Sequence, residues 1–116
     1  MATTNHEISL QEAIDMTTLY RANRPSDFPI CETFETAAIN QLLATEGCSY
    51  LRIYYGMKED FSVHAILIAV DADGEDILPP GTALNEANDT DIVILEDGYR
   101  CPPDCPPKSL LNDSSQ

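Results

Sequence analysis

The feature that most narrows the fold lies at residues 49–70, where two stretches of period two follow each other across a short polar break. Residues 49–55 (SYLRIYY) alternate Leu51, Ile53 and Tyr55 with Tyr50, Arg52 and Tyr54, and residues 61–70 (FSVHAILIAV) are rich in side chains that pack on a pleated surface. Successive side chains of a strand point to opposite faces, so the pair predicts an antiparallel hairpin joined by the five residues 56–60 (GMKED). With the loop centred on Lys58, Tyr55 is expected opposite Phe61, Ile53 opposite Val63 and Leu51 opposite Ala65. This makes one apolar face, extended by Leu67 and Ala69. The second face carries Tyr50, Arg52, Tyr54, Ser62, His64, Ile66 and Ile68. Tyrosine, isoleucine and arginine in this mixture match the make-up of interface cores. Burial of Tyr50, Arg52, Tyr54, His64, Ile66 and Ile68 against a second protein chain is therefore expected, most economically another copy in a homodimer. A C-terminal tail folded back over the same face is the alternative.

Two helices are expected before the hairpin. Ser9 with Glu12 three positions on forms a capping box, and Leu10, Ala13, Ile14, Thr17, Leu19 and Tyr20 carry the helix to about Asn23, where Arg24-Pro25 ends it. A proline-punctuated connection (PSDFPIC) leads to Thr33 as the expected cap of a second helix, whose apolar side is Phe34, Ala37, Ala38, Ile39, Leu42 and Leu43 and which Gly47 stops. Ile92 to Leu95 (IVIL) reads as a third strand, closed by Asp97-Gly98. The order α-α-β-β-β predicts an α+β fold: two N-terminal helices packed on one face of a three-stranded antiparallel β-meander, followed by a proline-rich tail. Residues 1–7 are expected to be flexible, 8–100 to form a single domain and 101–116 to form a Cys/Pro-rich tail.

Charge limits the function. Twenty acidic against six basic side chains leave a formal charge of −14, with a pI near 4.1, so the surface field repels phosphate and disfavours both nucleic acid and anionic lipid as partners. Neither an apolar run of about 18 residues nor a basic start with an apolar segment is present, which predicts a cytoplasmic protein without a membrane span. Asp71, Asp73, Glu75, Asp76, Glu86, Asp89, Asp91, Glu96 and Asp97 fall within 27 residues that hold no Lys or Arg, an acidic arm suited to steering a basic protein. A calcium loop starting at Asp71 fails its signature, since Asp76 and Thr82 stand where Gly and Glu are required.

The sharpest local motif is Cys101-Pro102-Pro103-Asp104-Cys105. With Cys31 and Cys48 its two cysteines could make a four-thiolate structural zinc site, although the prolines remove amide donors and Asp104 adds negative charge beside the thiolates. A turn through Pro103 and Asp104 would instead allow a Cys101 to Cys105 bridge, and a rigid proline brace with the cysteines packed beneath it is the third reading. His64, in mid-strand and set across from Arg52, is read as a hydrogen-bond acceptor at an interface or as a partly buried strand histidine. No G-x-S-x-G, H-E-x-x-H or glycine-rich phosphate loop occurs, so a non-enzymatic role with no cofactor, zinc apart, is expected.

Ile53-Tyr54-Tyr55-Gly56, the strand running into Asp71-Ala72-Asp73-Gly74-Glu75-Asp76, and the late Cys101-Pro102-Pro103-Asp104-Cys105 resemble a group of small bacterial proteins of unknown function. Those proteins share an R-I-Y-x-G strand, a D-x-x-G-x-D turn and a C-P-P-x-C motif. The resemblance spans about residues 8 to 112 and brings no activity or cofactor. It implies that Arg52, Tyr54, Gly56, Asp71, Gly74, Asp76, Cys101 and Cys105 form a shared constellation. Taken together, the sequence predicts an adaptor, inhibitor or structural subunit, with a thiol-redox or zinc protein and an acidic mimic of nucleic acid as alternatives.

Overall fold

A computed structural model describes residues 6–80 and 92–112, and all that follows concerns them. The chain is α+β, in the order α1 (Leu10–Asn23), β1 (Cys31–Thr33), α2 (Thr36–Leu43), β2 (Tyr50–Met57), β3 (Val63–Val70) and β4 (Tyr99–Cys101). Two antiparallel two-stranded sheets, β2–β3 and β1–β4, replace the expected three-stranded meander. Among the described residues no helix is long and apolar enough to cross a membrane.

α1 begins as the capping box requires. Ser9 Oγ accepts the Glu12 N–H at 3.0 Å, and Glu12 returns a carboxylate to the Ser9 N–H at 2.8 Å. Those bonds hold the Glu12 carboxyl below its usual range. The helix, however, does not roof the sheet as expected. It has no buried residue, and Leu10, Met16 and Leu19 stay exposed, because its apolar side chains are spread around the cylinder instead of gathered in one stripe. α2 is the helix that packs. Its N-cap is Glu35, not Thr33, because Thr33 is taken into β1 opposite Tyr99. Leu42, fully buried, meets Leu67 and Ala69 of β3, with Phe34, Ile39, Cys48, Ile77, Val93 and Leu95 around them.

The hairpin forms with the predicted facing but a different register. Tyr55 stands opposite Ala65, Ile53 opposite Leu67 and Leu51 opposite Ala69, which is four residues away from the expected pairing. The turn is the reason. Phe61 N–H donates to the Lys58 carbonyl at 2.8 Å and Lys58 N–H to the Ser62 carbonyl at 3.0 Å, with Phe61 in the left-handed region at φ 72°. β2 therefore runs on through Gly56 and Met57. An offset of four is even, so every side chain keeps its predicted face. Phe61 is exposed and occupies a backbone region that favours glycine. Phe61→Gly is expected to raise unfolding free energy by about 1 kcal/mol, seen as a higher urea midpoint, while a lower midpoint would mean the Phe61 ring holds the loop.

β3 is the strand around which the rest is organised. Its second edge is satisfied by a mosaic of partners at alternate residues. Val63 N–H donates to the Asp27 carbonyl (3.1 Å), and Leu67 exchanges both of its backbone bonds with Leu95 (2.8 and 3.1 Å). Ile77 N–H donates to the Ala69 carbonyl (2.8 Å), Ala65 N–H to Glu32 Oε2 (2.8 Å), and Arg100 Nε to the Val63 carbonyl (3.0 Å). The expected strand at 92–95 contributes only the single bridge of Leu95 to Leu67. Glu32 and Arg100 face each other on β1 and β4 and both reach β3, so side chains join the small sheet to the large one.

Candidate functional site

Alternation on β3 decides which edge of the hairpin is open. A strand residue directs its N–H and C=O to the same side. Leu67 spends both on Leu95, so the even-numbered residues of β3 face β2, and on β2 the even-numbered residues answer them. The N–H and C=O groups of Leu51, Ile53, Tyr55 and Met57 therefore point away from the sheet. Among the described residues they meet no hydrogen-bond partner.

The odd-numbered face is apolar along its whole length but covered over only part of it. An eight-residue helix is about 12 Å long, whereas an eight-residue strand spans about 26 Å. α2 shields the Leu67 and Ala69 end. The other end, with Ile53, Tyr55, Met57, Val63 and Ala65, forms the floor of a groove of about 830 Å³, walled by Phe28, Pro29 and Ile30. Tyr20 of α1 flanks it, held by its hydroxyl donating to the Pro29 carbonyl at 2.6 Å. Tyr55 is 76% exposed at the rim.

The even-numbered face is the predicted docking surface, and the structure places its six residues in two groups. Asp76 pairs with Val70 on the far edge of β3, yet its carboxylate meets Arg52 Nη1 at 2.6 Å and Tyr54 Oη at 2.5 Å. Arg52 stands opposite Ile68 and Tyr54 opposite Ile66, so both side chains must cross β3 to reach Asp76. They form a roof, and Ile68 beneath it is 4% exposed. At the loop end, His64 is 8% exposed; Ser62 Oγ lies 2.9 Å from its Nε2, and Glu96 Oε2 lies 3.0 Å from its Nδ1, close but not aligned as a hydrogen bond. Lys58 Nζ lies 3.6 Å from the same carboxylate oxygen. His64 stands opposite Gly56, not Arg52. Of the six predicted interface residues, Ile68 and His64 are thus buried within the chain and Ile66 is half-buried, while Tyr50, Arg52 and Tyr54 keep surface to offer. Among the described residues, the cover comes from Asp76 and Glu96 and the residues they meet.

Three residues of the implied constellation, Arg52, Tyr54 and Asp76, meet directly. Asp71 Oδ1 accepts the N–H groups of Asp73 and Glu75, and Gly74 takes φ 88°, which turns the chain so that Asp76 arrives over the sheet. The Tyr54 hydroxyl and the Arg52 guanidinium, opposed by partial desolvation, hold the Asp76 carboxyl below its usual range. Gly56 lies close under Ile66: a Cβ there would stand 2.8 Å from Ile66 Cδ1, so any other residue would push the end of the Ile66 side chain aside.

The four cysteines are not gathered around one point. Cys101 is bridged to Cys105, with Cα atoms 4.4 Å apart, and Cys31 is the ladder partner of Cys101. Cys48 packs against the Leu42 cluster and donates its thiol to the Tyr50 carbonyl at 3.4 Å. Among the described residues no three His, Cys, Asp or Glu side chains are placed to hold a metal ion, and of the four cysteines proposed as a zinc set Cys101 and Cys105 are bridged while Cys31 and Cys48 are free thiols. Burial, with Glu32 adding to it, pushes the Cys31 thiol up. Glu86, Asp89 and Asp91 of the acidic arm, residues 1–5 of the expected flexible start and residues 113–116 of the tail lie outside the described residues. Compared with known proteins, the chain matches no family model, no curated sequence and no solved structure.

Proposed function

We propose that the protein is a non-enzymatic interaction module that pairs with a second copy of itself through the outer edge of β2. The observation that carries this reading is the row of backbone groups at Leu51, Ile53, Tyr55 and Met57 that meet no partner among the described residues, lying beside exposed apolar side chains and an apolar groove. Open edges of this kind are templates for strand addition, and natural chains protect them when they are not used. β2 carries no proline, no lysine and no bulge.

Charge favours a copy at this edge over most other surfaces. In a chain of −14, residues 50–57 hold one cation and no acid, so two chains meet there with the least repulsion. In an antiparallel two-fold pairing, Ile53 falls opposite Tyr55 of the second copy and Leu51 opposite its Met57. Odd then meets odd, which joins the two apolar faces into one four-stranded surface. The acidic nucleic-acid mimic has less support, because Asp71, Asp76 and Glu96 are turned to partners within the chain.

Light scattering tests the reading. The wild type is expected at twice the 12.8 kDa chain mass. Ile53→Lys combined with Tyr55→Lys is expected to give the single-chain mass with unchanged circular dichroism, since both side chains are exposed in the free chain, Ile53 to 48% and Tyr55 to 76%. A wild type of single-chain mass at high concentration, or a variant that still dimerises, would contradict it.

A further inference from the structure

Three of the four cysteines meet where β1, β4 and the tail join. Cys101 ends β4, is buried, and is bridged to Cys105 on the exposed tail. On its other side Cys31, a free thiol, is its direct partner in the β1–β4 ladder. Directly opposed residues of an antiparallel pair send their side chains to the same face, with Cα atoms about 4.5–5.5 Å apart. That separation lies inside the window of about 4.4–6.8 Å that a disulfide spans. By its backbone placement Cys101 therefore has two cysteines at a Cα spacing that a disulfide can span, one on a strand and one on the tail.

We propose that Cys31, Cys101 and Cys105 form a thiol–disulfide exchange relay. The Cys31 thiolate attacks Cys101 Sγ, a Cys31–Cys101 bond forms, the Cys101–Cys105 bond breaks, and Cys105 leaves as thiolate. One disulfide is exchanged for another, with no net oxidation. The proton given up by the Cys31 thiol is matched by the one that the Cys105 thiolate takes up. In one isomer the tail is latched to β4. In the other, β1 and β4 are stapled and Cys105 presents an exposed thiol, open to a low-molecular-weight or protein disulfide. Because Cys31 lines the groove beside Ile30, exchange also alters the groove wall.

The test maps bridges in the full oxidised chain by peptide mass spectrometry, after incubation at about pH 8 to populate thiolates and blocking with N-ethylmaleimide. Cys48 should be blocked in every sample. In the wild type, Cys105 is expected to be blocked in roughly 0.1–10% of molecules, the range of an ordinary minor state, and to be joined there by a Cys31–Cys101 linked peptide. In Cys31→Ser that fraction should vanish. Blocking of Cys105 in neither protein, or equally in both, overturns the relay. A second variant guards against misfolding of the first. Reduced Cys105→Ser, oxidised with glutathione disulfide, is expected to yield Cys31–Cys101 as its main internal bridge, and the absence of that peptide overturns the relay too.

Discussion

Leu42→Ala is expected to lower unfolding free energy by about 3 kcal/mol, whereas Leu19→Ala should change it by no more than about 0.5 kcal/mol. Both substitutions delete the same atoms from a helix, so only their surroundings differ. Leu42 is fully buried between α2 and β3, where no other helix can close the cavity left behind. Leu19 is 67% exposed on α1, and alanine is the better helix former there. Urea titration followed by circular dichroism reads both. A loss at Leu19 equal to that at Leu42 would mean that α1 covers the sheet after all, and would close the uncovered end of the odd-numbered face.

Asp76→Asn should remove the roof over Ile68 and flatten the acid side of the stability profile. The native Asp76 carboxyl sits below its ordinary range, first through the Tyr54 hydroxyl and then through Arg52. A carboxyl depressed in the folded state stabilises fully above its unfolded value of about 3.9, and the contribution is lost as pH falls through the lower folded value. The wild type should therefore exceed the variant in urea midpoint at neutral pH, and the gap should shrink as acid protonates Asp76. Stability curves of the two proteins against pH are the measurement. A gap that stays constant into acid would show that Asp76 acts through shape alone. No gap at any pH would show that Arg52 and Tyr54 do not depend on it.

The parts of the fold that could be read ahead have local causes. Ser9 and Glu12 announce the start of α1 because a capping box is complete within four residues, and the period of two in β2 and β3 survives any even slip in register. The register itself was not legible. It depends on Phe61 adopting a left-handed backbone, for which glycine or asparagine would have been the usual signal. β1 and β4 were missed because three residues carry no periodicity, and their pairing spans some 70 positions of sequence from Cys31 to Cys101. The even-numbered face read as too apolar for water because each side chain was weighed singly. Arg52 and Tyr54, two apart on one strand and followed by an acid after a tight turn, were the available sign that the chain could roof this face itself. The open edge of β2 had no such sign, since it emerges only once Leu95, Ile77, Asp27 and Glu32 have occupied the opposite edge of β3.

Amide hydrogen exchange at two protein concentrations reaches the self-pairing strand most directly. In dilute solution the N–H groups of Ile53, Tyr55 and Met57 should exchange rapidly, while those of Arg52, Tyr54 and Gly56, held by β3, should be protected. Raising the concentration should protect the odd-numbered set and leave the even-numbered set unchanged. Odd-numbered amides that exchange at the same rapid rate at both concentrations would contradict pairing of two copies through this edge.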